Sequence, residues 1–174
     1  WNNPKINESI RKQMDLYSHI DYKTFHDPNR EELCKILCED SKSLDFAFLS
    51  GSSGGEACEM AIHMSYQMHV EEGNPKKSKI ISRKQSYHGA SSGSMALSER
   101  PNQKFFDPIH PNNVIKVSEP YYMRNKFPDE NESEYLKRLI LEIEATIENV
   151  GAENIGSFVG ETILGGLVGD VPPP

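Results

Sequence analysis

Residues 79–89 read KIISRKQSYHG, a short apolar strand pattern followed directly by a turn that carries polar and aromatic side chains. The paired isoleucines with flanking polar residues are typical of a buried strand. In the turn, Tyr87 offers a flat face on which an aromatic ligand can stack, and Gly89 lets the backbone approach a neighbour closely. Taken alone, His88 is better explained as a hydrogen-bonded histidine in a turn and Tyr87 as a half-buried packing residue, so the neighbouring segments decide their meaning.

The same order of strand and turn recurs on both sides of this stretch. Residues 44–49 (LDFAFL) are predicted to form a buried strand, and residues 157–161 (SFVGE) form a predicted strand that ends at Glu161. Residues 114–117 give a further strand. Helical periodicity accompanies these strands at residues 4–19, 28–40, 57–72 and 132–149. The alternation predicts an α/β fold, with a three-layer, mostly parallel sheet that has helices on both faces.

The composition is that of an ordinary globular chain, with 174 residues and a net charge of −7. Such an acidic chain lacks the basic face that nucleic-acid binding requires, so no nucleic-acid partner is expected. No apolar run reaches the roughly 18 residues of a membrane span, so no membrane contact is expected. Three cysteines without further ligands at matching spacing indicate reduced thiols and no metal site. This fits the cytoplasm or a mitochondrial matrix.

Residues 50–56 (SGSSGGE) stand between a predicted strand and a predicted helix, where a phosphate can bind. The glycines let the backbone turn tightly, the new helix supplies unpaired N–H groups, and the serine hydroxyls add donors. No Gly-Lys-Ser/Thr follows, so this is not the P-loop of nucleotide-binding proteins. A plain flexible turn would have the same composition.

The same residues also match the Gly-x-Ser-x-Gly pattern of a nucleophile elbow, in the strand–turn–helix context of α/β-hydrolases. Ser53 in GSSGG would then be the nucleophile, with His88 or His110 as the base. The predicted helices before the turn argue against this, because that fold has strands there. A hydrolase is therefore the alternative from a second functional class.

Three chemically rich segments each follow a predicted strand, at residues 50–55, 86–89 and 161–166. Parallel sheets bind ligands beyond the carboxyl ends of their strands. The order of the segments resembles the fold-type I pyridoxal-phosphate enzymes, and their residues resemble the class III (ω-type) aminotransferases. Residues 47–57 (AFLSGSSGGEA) look like that family's F-x-x-S-G-S-E-A stretch, and residues 79–89 resemble its SYHG strand and turn. Residues 158–173 are similar to its F-V-A-E-P…V-P-P stretch.

The resemblance implies pyridoxal 5'-phosphate as the cofactor and the Gly/Ser turn as its phosphate site. Aligned on Glu56, the phosphate contacts fall on Ser53, Gly54 and Gly55. The family usually has a serine where this chain has Gly55, so one hydroxyl contact is lost while the backbone N–H remains. A register shifted by one residue would use Gly51 and Ser52 instead.

By the same resemblance, Tyr87 would stack on the pyridine ring and His88 would shape the same wall. Glu161 would lie where the amino group of the substrate arrives. The family transfers an amino group from an amine or amino acid to a 2-oxo acid or aldehyde. Its members usually form homodimers, so a homodimer is expected of the longer enzyme.

Two groups that the family needs have no counterpart in the sequence. An aspartate that keeps the ring nitrogen protonated and a lysine that binds the cofactor covalently should both lie beyond Pro174, so no catalytic residue is assigned here. The chain is interpreted as a fragment that is inactive alone. Residues 1–43 would form a helical lead-in and residues 44–174 the front part of the cofactor-binding large domain. A naturally truncated, non-catalytic homologue is a further alternative.

Overall fold

A computed structural model describes residues 2–39, 41, 43–51 and 53–167 of the chain. The chain divides into two units, Trp1–Leu49 and Ser50–Pro174. Ser52, which the shifted register of the phosphate turn would use, lies outside the described residues, as do residues 171–173 of the family resemblance.

The first unit contains two helices, α1 (Pro4–Leu16) and α2 (Pro28–Glu39), and the sequence predicted both. The Asn3 side chain caps α1 by accepting a hydrogen bond from the Lys5 N–H at 3.0 Å. The helix ends at Leu16 and not at residue 19, because Tyr17 takes an extended backbone with φ −166°.

The prediction of a buried strand at residues 44–49 is wrong. These residues have no regular secondary structure, and the side chain of Phe46 is 94% exposed. Leu44 and Phe48 are also more than half exposed. A strand is stable only when a neighbouring backbone pairs with its N–H and C=O groups, and the described residues of the first unit offer no such ladder. The apolar run alone therefore did not establish a strand.

The second unit is built on a parallel sheet of β1 (Lys79–Arg83), β2 (Val114–Val117) and β3 (Ile155–Val159). The strand order is β2-β1-β3, and Ile81 in the centre pairs with Ile115 on one side and Phe158 on the other. The three middle residues of β1 are buried, as expected for a central strand.

Four α-helices accompany the sheet among the described residues: α3 (Gly54–Glu71), α4 (Ser92–Leu97), α5 (Tyr122–Asn125) and α6 (Glu132–Val150). Short 3-10 turns lie at Lys104–Ile109, Ala152–Asn154 and Gly165–Leu167. The chain moves from β1 to β2 in one direction and from β2 to β3 in the other. Right-handed crossovers therefore place α4 and α6 on opposite faces of the sheet. The predicted α/β fold with a parallel sheet flanked by helices is confirmed.

The N-terminus of α4 is capped by a side chain from α3. The Glu59 carboxylate accepts hydrogen bonds from the backbone N–H groups of Gly93 (2.7 Å) and Ser94 (3.1 Å). It also accepts one from the Ser91 hydroxyl at 2.6 Å. Partial burial opposes ionisation of Glu59, but these hydrogen bonds outweigh it and hold its pKa below the ordinary value. The contact fixes α4 against α3 and so positions the turn between β1 and α4.

Candidate functional site

The N-terminus of α3 carries the predicted phosphate cradle. Ser53 is the N-cap residue: its hydroxyl accepts a hydrogen bond from the Glu56 N–H at 3.2 Å, and its own N–H donates to the Glu56 carboxylate at 3.2 Å. In the described part of the chain, the N–H groups of Gly54 and Gly55 have no hydrogen-bond partner, as expected at the first helical positions. Two free donors at the positive end of the helix dipole can hold an anion.

Two glycines allow the cradle and the turn after β1 to touch. Gly89 has a φ of +134°, a conformation that side chains rarely adopt. A Cβ atom there would lie 2.7 Å from Gly55 Cα and 2.5 Å from Ser94 Oγ, so no side chain fits. The cradle and the turn, which the sequence placed on separate segments, therefore form one site.

This contact places Tyr87 and His88 beside the cradle. The Tyr87 side chain is 45% exposed, so part of its ring surface is open to a ligand. The His88 N–H donates to Ser98 Oγ at 2.8 Å, which fixes the turn to the end of α4. His88 Nε2 is buried and has no hydrogen-bond partner among the described residues. Burial lowers the pKa of His88, and the neighbouring Lys116 cation adds to the effect, so both favour the neutral imidazole.

Beneath this turn lies a polar cluster that sequence reasoning missed. The Lys116 ammonium donates to the Ser82 hydroxyl (2.8 Å) and to the carbonyls of Leu97 (2.6 Å) and Ser98 (3.0 Å). Burial lowers the pKa of Lys116 to about 8, although two nearby carboxylates oppose the shift. A lysine inside the apolar pattern of residues 114–117 was the available signal.

Glu161 stands two positions beyond Val159, the last residue of β3, whereas the sequence placed it at the strand end. Its backbone carbonyl accepts a hydrogen bond from Arg83 Nη1 at 2.8 Å, which ties the segment to the end of β1. Its Oε2 is buried and has no hydrogen-bond partner in the described ranges. Leaving a buried polar atom unpaired costs about 1–3 kcal/mol, and more when it is charged, so this position suits a ligand that brings a cation or an N–H donor.

Arg100 links the Tyr87 ring to the segment after Glu161. Its guanidinium carbon lies 4.8 Å from the centre of that ring, within cation–π distance. A Cβ atom at Gly166 would lie 2.7 Å from Arg100 Nη2, so the turn Gly165–Leu167 packs closely on the guanidinium. Sequence reasoning missed Arg100, because nothing in the pattern distinguishes it from an arginine on a surface loop.

Glu119 is a second carboxylate at this edge of the sheet, and it was also missed. It follows β2 by two positions, as Glu161 follows β3, and it is only 4% exposed. Its carboxylate accepts hydrogen bonds from the side-chain amides of Gln85 and Asn125. Its carbonyl accepts one from the Tyr135 hydroxyl at 2.9 Å. The Glu119 carboxylate is thus hydrogen-bonded within the fold, whereas Glu161 Oε2 has no partner among the described residues. The repeated glutamate after a strand was the signal that could have found it.

The geometry does not form the nucleophile and base of a hydrolase. The Ser53 hydroxyl caps α3 by accepting from the Glu56 N–H. In the part of the chain that the structure describes, neither His88 nor His110 hydrogen-bonds to it, and His88 Nε2 has no partner at all. A serine nucleophile needs a base within hydrogen-bond reach, so this arrangement favours a binding role for Ser53.

Comparison with known proteins identifies the family. The sequence profile of "Aminotransferase class-III" matches residues 1–174. An "Aminotransferase" from Gibberella zeae is 28% identical over 178 residues, which is 100% of this chain and 35% of that protein. "Probable gamma-aminobutyrate transaminase 3, mitochondrial" from Oryza sativa subsp. indica is 36% identical over 125 residues, 71% of this chain and 24% of that protein.

Solved structures share the fold over nearly the whole chain. The PMP-bound form of an aminotransferase from Vibrio fluvialis has a TM-score of 0.88 and 26% sequence identity, and it covers 99% of this chain and 38% of that one. The chain thus spans about a third or less of the length of the curated relatives above. The matches give no support to the hydrolase alternative. The chain belongs to the class-III aminotransferase family, whose solved members have the fold-type I architecture.

Proposed function

We propose that this chain is the cofactor-holding part of an enzyme that uses pyridoxal 5'-phosphate to transfer an amino group from an amine or amino acid to a 2-oxo acid or aldehyde. The observation that carries the proposal is the contact between Gly55 and Gly89, since it joins an anion site to an aromatic wall. Family membership and the PMP-bound aminotransferase from Vibrio fluvialis support the choice of cofactor.

The phosphate would bind at Ser53, Gly54 and Gly55. Among the described residues the N–H groups of the two glycines have no hydrogen-bond partner, and the Ser53 hydroxyl, which accepts from the Glu56 N–H, keeps its own proton to donate. The helix dipole of α3 adds a favourable field for a dianion. These three donors fit a phosphate without any help from a lysine.

Tyr87 and His88 would form the wall against which the pyridine ring lies. The cation–π contact with Arg100 holds the Tyr87 ring, and the neutral imidazole of His88 adds no charge to that wall. When bound, pyridoxal phosphate acts as an electron sink for the carbon that carries the amino group. Glu161 Oε2, which has no partner in the described ranges, would accept a hydrogen bond from the amino group of the substrate.

The transamination itself belongs to the longer enzyme, because this chain spans 24% to 35% of the relatives named above. Among the described lysines, Lys116 is hydrogen-bonded to three oxygens and holds the fold, so it is not offered to a cofactor. Residues 1–43 would be the lead-in and residues 44–174 the front of the large domain, with the reactive lysine elsewhere in the enzyme. We expect the isolated chain to bind the cofactor without turnover.

A homodimer in the cytoplasm or the mitochondrial matrix is proposed for the longer enzyme. The transaminase from Oryza sativa subsp. indica described above is named as mitochondrial. No helix in the described ranges is both long enough and apolar enough to cross a membrane.

Pyridoxine 5'-phosphate is the suitable probe for binding, because it lacks the aldehyde that reacts at random with surface lysines. Calorimetric titration of the chain should show binding that Tyr87→Ala weakens by about tenfold, the upper end of an aromatic pair's contribution. Tyr66 is the matched control, since it is 44% exposed on α3 and does not border the cradle.

An equal loss in Tyr66→Ala, or no binding by the unaltered chain, would contradict the proposal. Labelling of Ser53 by a fluorophosphonate would instead favour the hydrolase. A longer enzyme that binds the cofactor but transfers no amino group would be the non-catalytic homologue.

A further inference from the structure

We propose that Arg83 is a positioning residue that holds the main chain of Glu161, so that the Glu161 carboxylate stays free for an ammonium group of the ligand. The inference rests on the proposed function, because it takes Glu161 as the group that meets the amino nitrogen. Sequence reasoning assigned no role to Arg83.

Arg83 reaches from the last residue of the central strand to the segment after β3. Its Nη1 donates to the Glu161 carbonyl at 2.8 Å, and its guanidinium carbon lies 5.5 Å from the centre of the Phe158 ring. A Cβ atom at Gly160 would lie 3.2 Å from Arg83 Cζ and 3.0 Å from the Phe158 ring. The guanidinium is therefore packed between a ring and a backbone that has no side chain, which restricts where it can lie.

The choice of acceptor is the informative feature. An arginine beside a carboxylate ordinarily forms a two-point ion pair with it. Here Arg83 takes the backbone carbonyl, and among the described residues no ion pair within 4.0 Å joins it to Glu161, whose Oε2 is buried and unpaired. Arg83 therefore hydrogen-bonds to the main chain of Glu161 and leaves the Glu161 carboxylate available.

The electrostatics agree with this geometry. Burial lowers the pKa of Arg83, and the nearby Glu161 charge opposes that shift. The guanidinium is thus partly removed from water and close enough to feel the carboxylate, yet it is held away from it. Its charge also repels an incoming ammonium group, so positioning and charge have opposite effects on such a ligand.

A purely structural role for Arg83 predicts a different result from a positioning role. If Arg83 only stabilised the link between β1 and β3, its loss would weaken every phosphate ester of the pyridoxal series alike. If it positions Glu161, its loss weakens a ligand with an ammonium group more than one without, and only while Glu161 is present.

The experiment measures the affinity of the 174-residue chain for two probes. Pyridoxamine 5'-phosphate carries a primary ammonium group, and pyridoxine 5'-phosphate carries a hydroxyl at the same place. The affinity ratio is the affinity for pyridoxamine phosphate divided by the affinity for pyridoxine phosphate. It is compared in the unaltered chain, Arg83→Met, Glu161→Gln and the double variant. We expect Arg83→Met to lower the ratio about tenfold more in the unaltered background than in the Glu161→Gln background. That factor is the low end of what a hydrogen bond from a charged donor contributes.

Two further variants guard against misfolding and nonspecific charge effects. Gly160→Ala keeps the arginine but displaces its guanidinium, so it should also lower the ratio. Arg124→Met removes an exposed arginine that stacks 5.1 Å from the Tyr121 ring, and it should leave the ratio unchanged.

The outcomes separate the two proposals. The role of Arg83 is overturned if Arg83→Met changes the ratio equally in both backgrounds or does not lower it. The proposed function still stands in that case if Glu161→Gln abolishes the preference for pyridoxamine phosphate. Failure of the unaltered chain to bind either probe overturns the proposed function and this inference together. Binding of both probes with equal affinity overturns the role of Glu161, and this inference with it, while the cofactor-holding role stands.

Discussion

The turn after β1 and the stretch at residues 44–49 contrast in composition and in burial. Ser86 in the turn is polar and fully buried, whereas Phe46 is apolar and 94% exposed. The Ser86 hydroxyl shares its one proton between the carbonyls of Arg83 (2.7 Å) and Leu97 (3.1 Å), so its polar atom is satisfied away from water. Residues 44–49 lack a backbone ladder. In these two regions burial follows hydrogen-bond partners and neighbouring backbone, and hydropathy alone predicts it wrongly.

Alanine at Gly89 should disrupt the buried turn most strongly. The positive φ and the contacts with Gly55 Cα and Ser94 Oγ leave no room for a methyl group. We expect a loss of about 3 kcal/mol in the free energy of unfolding, measured by urea denaturation. Gly54→Ala is the matched control, because a Cβ atom there meets nothing within 4 Å. Equal losses in the two variants would show that the turn and the cradle are not in contact in solution.

Removal of the Ser86 hydroxyl should have the next largest effect. Ser86→Ala leaves the Arg83 and Leu97 carbonyls with one donor fewer, and we expect a loss of about 1–2 kcal/mol in the same measurement. Ser133→Ala, at an exposed serine in the first turn of α6, should change stability far less. If Ser86→Ala left the free energy of unfolding unchanged, the hydroxyl would be dispensable and apolar packing alone would hold the turn.

The lysine beneath the turn should make stability depend on pH. The pKa of Lys116 is about 8 in the folded chain and 10.5 when unperturbed, so the unfolded chain holds more protons between these values. The free energy of unfolding should therefore rise from about pH 8 to pH 10.5. The rise should be smaller than the loss caused by Ser86→Ala, because the amine is only partly buried. Thermal unfolding across this range checks the slope. Lys116→Met should remove the rise, and exposed Lys76→Met should keep it.

The smallest effect is expected at the apolar stretch. Phe46→Ser should change the free energy of unfolding by no more than about 0.5 kcal/mol, because the ring is already in water. A loss larger than that of Ser86→Ala would reverse the contrast, since it would show that residues 44–49 are covered in solution.

Local patterns predicted the parts of the site that depend on neighbours in the chain. The strand before Tyr87 follows from its apolar run, and the helix after the Gly/Ser turn follows from apolar periodicity, although the structure begins that helix at Gly54 and the sequence predicted it from residue 57. Sequence reasoning did not identify Arg100, Lys116 or Glu119. Their partners lie on other elements, so each residue looked like an ordinary loop or strand residue until the sheet brought those elements together.

The sequence by itself determined the order of the three strands and of the two long helices α3 and α6 in the second unit, and it marked the segments with binding chemistry. Periodicity and capping act over a few residues, so they can be read without the fold. Only the tertiary structure decided that Gly55 touches Gly89, that Arg83 takes the carbonyl of Glu161, and that residues 44–49 form no strand. Each of these depends on atoms far apart in the chain, and a contact of that kind exists only once the crossovers have closed.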